Sequence, residues 1–470
     1  MPDFSVILQT PVVRNLVQQG LLERALHDAL FPNLLFRGEA TPVPWPSGVG
    51  DSLIFSSPGL IEPDAEPLVP GEDPEVATYQ VEQWEAQLNQ YGKAIDTHMP
   101  TSMVAIANLF MRNAQQLGLQ AAQTINRVTR NRMYAAALSG NTVADGAQGP
   151  ASTLRVKRLN GFTRSRNTVS TNGSKVRFDP VSSSNPLSIT VFDQASGPGD
   201  IVVNVTGYTP DAPGDEFGPG VLIISANVTV LDRAYVLAYD RTNIVRVGGG
   251  FAVDALTPGT DTPTLADIRT VVSQFRQSNV PAHPDGRYHA HLDPTSESLI
   301  FSDTEFQTLL TALPDYYMYK QFAIGEMLGC VFFKNSECPV PETVVGGKTA
   351  TYSKKDPFPG ELYINGTVGS GKVHRILFTA QGGIMEYYSD LEALITEAGI
   401  TGQIADPRIV NNGIEVFSER IQLVIRAPLN RLQDQVSTAW KIIADWPVRT
   451  DATTGSDERF KRMATIEHAE

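Results

Sequence analysis

Apolar residues recur after Pro100 at Val104, Ala107, Met111, Ala114, Leu117, Ala121, Ile125 and Val128. One face at that period predicts an amphipathic helix over 102–138. Thr101 or Ser102 can cap its start, and Gly140-Asn141 ends it. At ~1.5 Å per residue it is a rod of about 55 Å. Gly118 lies inside it and few charge pairs flank the stripe, which suits a helix laid along a sheet better than a coiled coil. Before the helix the pattern is extended: 51–61 (DSLIFSSPGLI) and 76–97 (VATYQVEQWEAQLNQYGKAIDT) read as the two arms of a β-hairpin. The tip between them, EPDAEPLVPGEDPE at 62–75, holds Pro63, Pro67, Pro70 and Pro74 and six acids without a base, a composition that stiffens a loop and disfavours helix. The return arm reaches roughly 65 Å at ~3.3 Å per residue, against ~5–6 residues in an ordinary strand. A hairpin of that length is hard to cover with its own domain and is expected to lie on another molecule. The candidate intersubunit contacts are Glu62, Asp64, Glu66, Glu72, Asp73 and Glu75, with Trp84 and Tyr91 on the return arm.

Elsewhere the period changes by region. Residues 1–50 hold one short helical pattern (Val12, Leu16, Leu21, Leu22, Ala25, Leu26) and the loop TPVPWPSGVG, too little for a separate core. Residues 151–248 carry TVFD (190–193), IVVNVTGY (201–208) and VLIISANVTVLD (221–232) between Gly/Pro turns, which predicts a small all-β domain inserted after the long helix. Over 250–400 helix and strand alternate. Thr262-Pro263 opens a helix with Leu265, Ile268, Val272 and Phe275 on one face; YHAHLD (288–293) is a strand; and Asp303 can cap a helix through Phe306, Leu309, Leu310 and Leu313. GCVFFKN (329–335) is a strand, and Leu391, Leu394 and Ile395 mark another helix. ERIQLVIRAP (419–428) and STAWKIIADWPV (437–448) read as partner strands, and the last twenty residues as a polar tail.

Composition narrows the classes. With 470 residues, two or three domains are expected. A net charge of −14 and no Lys/Arg run of five argue against a basic nucleic-acid-binding face. Only Cys330 and Cys338 are present, which fits a reducing cytoplasm, and Cys330 in an apolar strand reads as a packed small side chain. The N-terminus lacks the basic start and apolar core of a signal peptide, and no 18-residue apolar run predicts a membrane span.

Candidate chemistry is sparse. GTVGSGK (366–372) matches the first part of a phosphate-binding loop, but Val373 stands where Ser or Thr should hold Mg²⁺. VHRILFTA (373–380) then reads as a strand, so a glycine-rich turn is the simpler reading. His289 and His291, two apart on a strand, share a face near His283 and Asp293 and could hold a metal. His27, His98, His374 and His468 show no such pattern, and Asp434 and Asp445 read as solvated carboxylates. Gly248-Gly249-Gly250 lacks a dinucleotide fingerprint and reads as a hinge. No catalytic residue, cofactor or metal is expected.

Taken in order, these pieces resemble the major capsid proteins of tailed bacteriophages with the HK97-type fold, nearest the N4-like coat proteins. The likeness lies in GDSLIFSSPGLI…PLVPGEDPE…YQVEQWEAQLNQYGKAID followed by the helix and AALSGNT, in PTLADIRTVVSQFRQSNVP (263–281), YHAHLDP (288–294) and IGEMLGCVFFKNSECP (324–339), and in ERIQLVIRAPLNRLQDQVSTAWKIIADWPV (419–448). The resemblance implies an α+β capsid fold. Residues 1–50 would be an N-terminal arm, 51–97 an extended loop over a neighbour, and 98–150 a peripheral domain built on the spine helix. Residues 249–400 would form an axial domain, and 401–470 the return strands and tail; the β region at 151–248 departs from the minimal pattern. The implied function is self-assembly, in pentamers and hexamers, into an icosahedral virion shell around double-stranded DNA. The DNA would be enclosed without sequence-specific binding, and the chain would be made in the bacterial host cytoplasm. The implied partners are further copies of the chain, a portal protein, and scaffolding or decoration proteins, with no membrane. The alternatives are a tail or baseplate component, or a metal-dependent hydrolase using His289 and His291.

Overall fold

The computed structural model describes residues 35–46, 49–58, 67, 71, 73, 80–98, 106–170, 174–192, 201–238, 244–311, 325–339, 362–364, 369–389, 409–410, 413–418, 421–426, 435–449 and 462–470. The fold is mixed α and β. The chain forms two compact units, each assembled from three separated stretches: 1–53, 85–130 and 385–447 in the first, and 54–84, 131–384 and 448–470 in the second.

The first unit centres on a seven-stranded sheet. Its path runs Thr41–Pro44, Met385–Tyr388, Gln435–Asp445, Ile421–Arg426, Gly413–Ser418, Ile409–Val410, and Asn89–His98 pairs with Gln435–Asp445 off that path. The strands predicted at 419–428 and 437–448 are antiparallel partners, from Gln422↔Lys441 to Arg426↔Ser437. Asn89–His98 is antiparallel to the same strand through ten consecutive pairs, Gln435↔His98 to Ala444↔Asn89. The strands approach so closely at Gly92 that a Cβ there would lie 2.6 Å from the Trp440 carbonyl oxygen.

This pairing alters the expected hairpin. The return arm is broken at Leu88, whose N–H donates to the Asp51 carbonyl, into Gln80–Gln87 and Asn89–His98. Its second half is covered by its own chain rather than left for another molecule, because a strand from far along the sequence supplies the edge.

The predicted helix is present as Ile106–Ala137; residues 101–105 lie outside the described set. Leu117, Ala121 and Ile125 are buried as expected, but the stripe continues through Asn126, Thr129 and Met133 while Val128 is half-buried. In the first unit, Asn126 Oδ1 accepts from the N–H of Phe36 at 2.8 Å and Gln120 Oε1 from Trp440 Nε1 at 2.6 Å. The segment expected as an arm is therefore tied down from residue 36 onward: Phe36 is fully buried, and Arg37 meets Glu386 at 2.6 Å, with both side chains buried.

The second unit holds a six-stranded antiparallel sheet in the order Asn141–Val143, Tyr235–Ala238, Leu187–Val191, Ile201–Pro210, Gly220–Val230, Gln148–Val156. Period-two burial makes it: Leu222, Ile224, Val228 and Val230 face one core with Leu187, Ile189 and Val191. The sheet begins at Asn141, ten residues before the predicted start of the β region at 151.

A second six-stranded sheet in this unit is mixed, in the order Ile244–Arg246, Met463–Ala469, Val373–Thr379, Tyr288–Leu292, Cys330–Lys334, Glu326–Met327. Helix Leu265–Gln277 lies against Met463–Ala469 and helix Pro294–Phe301 against Val373–Thr379. The first helix is capped by Thr264 and Asp267 rather than opened by Thr262-Pro263, and its Leu265, Ile268, Val272 and Phe275 are buried. Asp303 precedes helix Thr304–Thr311 as expected, with Phe306 buried. The Pro294–Phe301 helix was not predicted, and 391–395 lies outside the described residues.

The C-terminal segment is the clearest correction. Instead of a polar tail, Met463–Ala469 is a strand buried at every position, parallel to Ile244–Arg246 and antiparallel to Val373–Thr379. A four-stranded sheet completes the fold in the order Ser52–Pro58, Gln80–Gln87, Ser174–Pro180, Arg164–Ser170.

Candidate assembly surface and the buried polar cluster

Of the predicted contact residues, Glu62, Asp64, Glu66, Glu72 and Glu75 lie outside the described set, and Asp73 is exposed. Trp84 is only 8% exposed. Its ring stacks on Phe55 at 6.3 Å, and the Arg449 guanidinium lies 5.1 Å from its centroid, a cation–π geometry. Tyr91 is half-buried beside Trp446, ring to ring at 5.7 Å. Both aromatic side chains thus pack on their own chain.

The enzyme-like strings resolve into structure. Residues 373–379 form a strand after the GTVGSGK stretch, as expected, and Lys372 bridges to Tyr363 and pairs with Glu470 at 2.9 Å. The chain runs on from Lys372 into a strand, so among the described residues no helix N-terminus stands after the glycines to receive a phosphate. His289 and His291 share a face as predicted, yet both rings pack against Phe333, at 5.0 and 5.5 Å. His289 also meets Asp285 at 3.0 Å and stacks on His283, whereas His291 is fully buried.

Sequence reasoning missed a different cluster. Asp293 caps the 294–301 helix, accepting from the N–H groups of Thr295 and Ser296. Its carboxylate also meets His374 Nδ1 at 2.9 Å and the Ser296 hydroxyl, and that hydroxyl sits 2.7 Å from His468 Nε2. His374 and His468 stack at 5.6 Å, and Glu470 reaches His374 Nε2 at 3.4 Å. Burial lowers the His468 pKa, His374 lowers it further, and it falls to about 4. Burial works to raise the Asp293 pKa, but the His374 and Ser296 hydrogen bonds outweigh it and the net shift is downward.

One residue along, Glu467 lies between Arg375 at 2.7 Å and Arg246 at 2.8 Å, with all three side chains at most 4% exposed. Burial opposes ionisation of Glu467, yet Arg246 and Arg375 hold its pKa at about 2.

Ser, His and Asp together are the inventory of nucleophilic catalysis. Here Ser296, His468, Asp293 and His374 are all at most 2% exposed, so substrate has no route to them. What the arrangement does is lock the last strand of the chain into the mixed sheet. No local spacing announces it, because its hydrogen-bonded pairs lie up to 172 residues apart, as Ser296 and His468 do.

No protein-family model matches the sequence, and no curated protein matches it. Among solved structures the chain is similar to the capsid of Ralstonia phage GP4, at 11% identity and a TM-score of 0.47 over 92% of this chain and 90% of that one. It is also similar to the capsid of cyanophage Pam1, at 8% identity and a TM-score of 0.48 over 94% and 92%. The capsid of Helicobacter pylori bacteriophage KHP30 is similar at 8% identity and a TM-score of 0.45, over 94% and 90%.

Strands Ser52–Pro58 and Gln80–Gln87 share a sheet and bracket the acidic stretch at 62–75. Asp51 and Asp445 fix the base of the return arm, the latter accepting from the Gln87 N–H at 3.0 Å.

Proposed function

We propose that this chain is the major capsid protein of a tailed phage, with an HK97-type organisation nearest the N4-like coat proteins. It assembles through copies of itself into an icosahedral shell around double-stranded DNA. The observation that carries this reading is the register Gln435↔His98 to Ala444↔Asn89. That register ties the strand leading into the 32-residue helix to a strand near the end of the chain. A coat subunit needs such an arrangement: a rigid unit on a long helix, closed by return strands, with extended segments left to reach neighbours.

In this reading 1–50 is the N-terminal arm, 51–97 the loop toward a neighbour, and 98–150 the peripheral domain. Residues 151–248 are the inserted β domain, 249–400 the axial domain, and 401–470 the return segment. The acids Glu62, Asp64, Glu66, Glu72, Asp73 and Glu75 make the intersubunit contact, a matter of steering and register more than strength. Affinity comes from many interfaces summed over the shell. The further partners are a portal protein and scaffolding or decoration proteins, and the buried polar cluster is structural.

Electron microscopy of the expressed chain tests the proposal. Closed shells with pentamers and hexamers are expected, whereas a stable monomer overturns it and a tube points to a tail component. Deleting residues 62–75 should abolish shells while circular dichroism of the subunit stays unchanged.

A further inference from the structure

Helix Leu265–Gln277 buries one face and leaves the other open. On the open face Arg269, Ser273 and Arg276 are exposed at spacings of four and three. They therefore form one row along two turns, about 10.5 Å from first to last. Buried Val272 lies beside the row, and Leu328 meets it from the turn joining Glu326–Met327 to Cys330–Lys334. Together with Gln277 these residues line an open groove of about 560 Å³. Leu328 stands at φ 55° in that two-residue turn, beside Gly329 at φ 82°. A bulky side chain is uncommon at positive φ, and here it adds to an apolar floor. Two bases stand over the floor, and among the described residues no acid lines it. Arg269 meets Glu305 at 2.7 Å, with side chains 58% and 50% exposed, a weak pair that another carboxylate can displace. Arg276 has no ion-pair partner among the described residues.

We infer that this groove receives the acidic 62–75 segment of a neighbouring copy. The inference rests on the capsid reading and adds the receiving surface to it. Charge complementarity carries it. Copies at −14 repel one another, so contact between them is favoured where a surface of bases meets a segment of acids. The segment EPDAEPLVPGEDPE has six acids and no base, and it sets Leu68-Val69 between Glu66 and Glu72. That order answers the groove: the apolar pair covers Val272 and Leu328, and the flanking carboxylates meet Arg269 and Arg276. A nucleic-acid backbone supplies charge but nothing apolar for the floor. Both partners are open in the single chain. Pro67, Gly71 and Asp73 are exposed, and a Cβ on Gly71 would meet nothing within 4 Å. Between strands Ser52–Pro58 and Gln80–Gln87 lie 21 residues, enough for a tip up to roughly 35 Å from the strand ends.

The test uses the full chain in shells. Arg269→Glu with Arg276→Glu should lower the yield of sedimenting shells at least ten-fold, with subunit circular dichroism unchanged. Arg269→Lys with Arg276→Lys keeps the charge and should keep the yield. Glu66→Arg with Glu72→Arg should match the loss, and combining the two reversed pairs should restore shells. A Val69→Cys/Ser273→Cys chain, mildly oxidised, should run as a ladder of linked subunits, and neither single variant should. The native Cys330 and Cys338 are buried and stay silent.

An intrachain product, or none, overturns the inference, as does failure of the combined variant to recover. Normal shells from the Arg269→Glu/Arg276→Glu chain overturn it and leave the capsid reading standing. Normal shells of that chain that no longer retain DNA overturn it in favour of a nucleic-acid contact. Absence of shells from the unaltered chain defeats the capsid reading itself, and the inference with it.

Discussion

Two polar clusters set how the mixed sheet responds to pH and to charge loss. His468 has a folded pKa of about 4 against an ordinary 6.5. The unfolded chain therefore binds the extra proton between those values, and stability present above pH 6.5 is lost as pH falls toward 4. Asp293, shifted below 3.8, adds a second loss at still lower pH. The His468 shift amounts to about 3 kcal/mol at ~1.4 kcal/mol per pH unit. The urea midpoint of the subunit should fall across pH 6.5 to 4, and His468→Gln should flatten that slope; an unchanged slope would show that the imidazole does not control it. Glu467 makes a separate case. Glu467→Gln leaves Arg246 and Arg375 buried without their carboxylate, a loss of roughly 3–5 kcal/mol for a broken buried pair. Equilibrium unfolding at pH 7 measures it, and a change within 1 kcal/mol would mean water reaches the site.

At the scale of elements, the long helix ends where a distant loop receives it. Gly140, at φ 75°, donates its N–H to the Asn160 carbonyl, and Asn160 Nδ2 donates to the Ala135 carbonyl in the last turn. Gly161, at φ 84°, lies so close that a Cβ would overlap the Gly140 backbone. Gly161→Ala should therefore lower stability by about 2 kcal/mol or more, from strain and displaced backbone, read as a fall in melting temperature. The helix was legible because its apolar period is strong, and so were the strands at 421–426, where Ile421, Leu423 and Ile425 alternate in the sequence, and 435–445, whose burial alternates from 437 to 444. The strand at 463–469 was not legible. Buried on both faces, it shows no alternation, and Thr465, Glu467 and His468 read as solvent-facing until Arg375 and Ser296 arrive from elsewhere in the chain. The same reason hid the covering of the return arm, whose partner strand begins more than 330 residues later. Removing 463–470 takes a central strand from its sheet, so the truncated chain should be recovered insoluble or protease-sensitive across 244–379.

For the whole molecule, the balance of charge decides what a shell needs in order to form. A coat built on a polyanion requires basic surface on most copies, and counterion release then drives assembly around nucleic acid. This chain has 14 more acids than bases, and the only stretch of seven bases without an acid is opposed in sign by its own 62–75 segment. On the proposed capsid reading, a chain of net charge −14 has no surplus of bases with which to recruit DNA, and closure depends on contacts between copies. Purified chain treated with nuclease should then form shells at the same yield as untreated chain, with an absorbance ratio typical of protein alone. At an ionic strength near 0.15 M the Debye length is about 8 Å, so the overall repulsion is damped while contacts between neighbouring segments persist. Shell yield should accordingly rise from very low salt to that range, then fall as higher salt screens the charged contacts between copies. A yield that depends on added DNA, or that declines steadily from the lowest salt, would mean that nucleic acid, not contact between copies, drives closure.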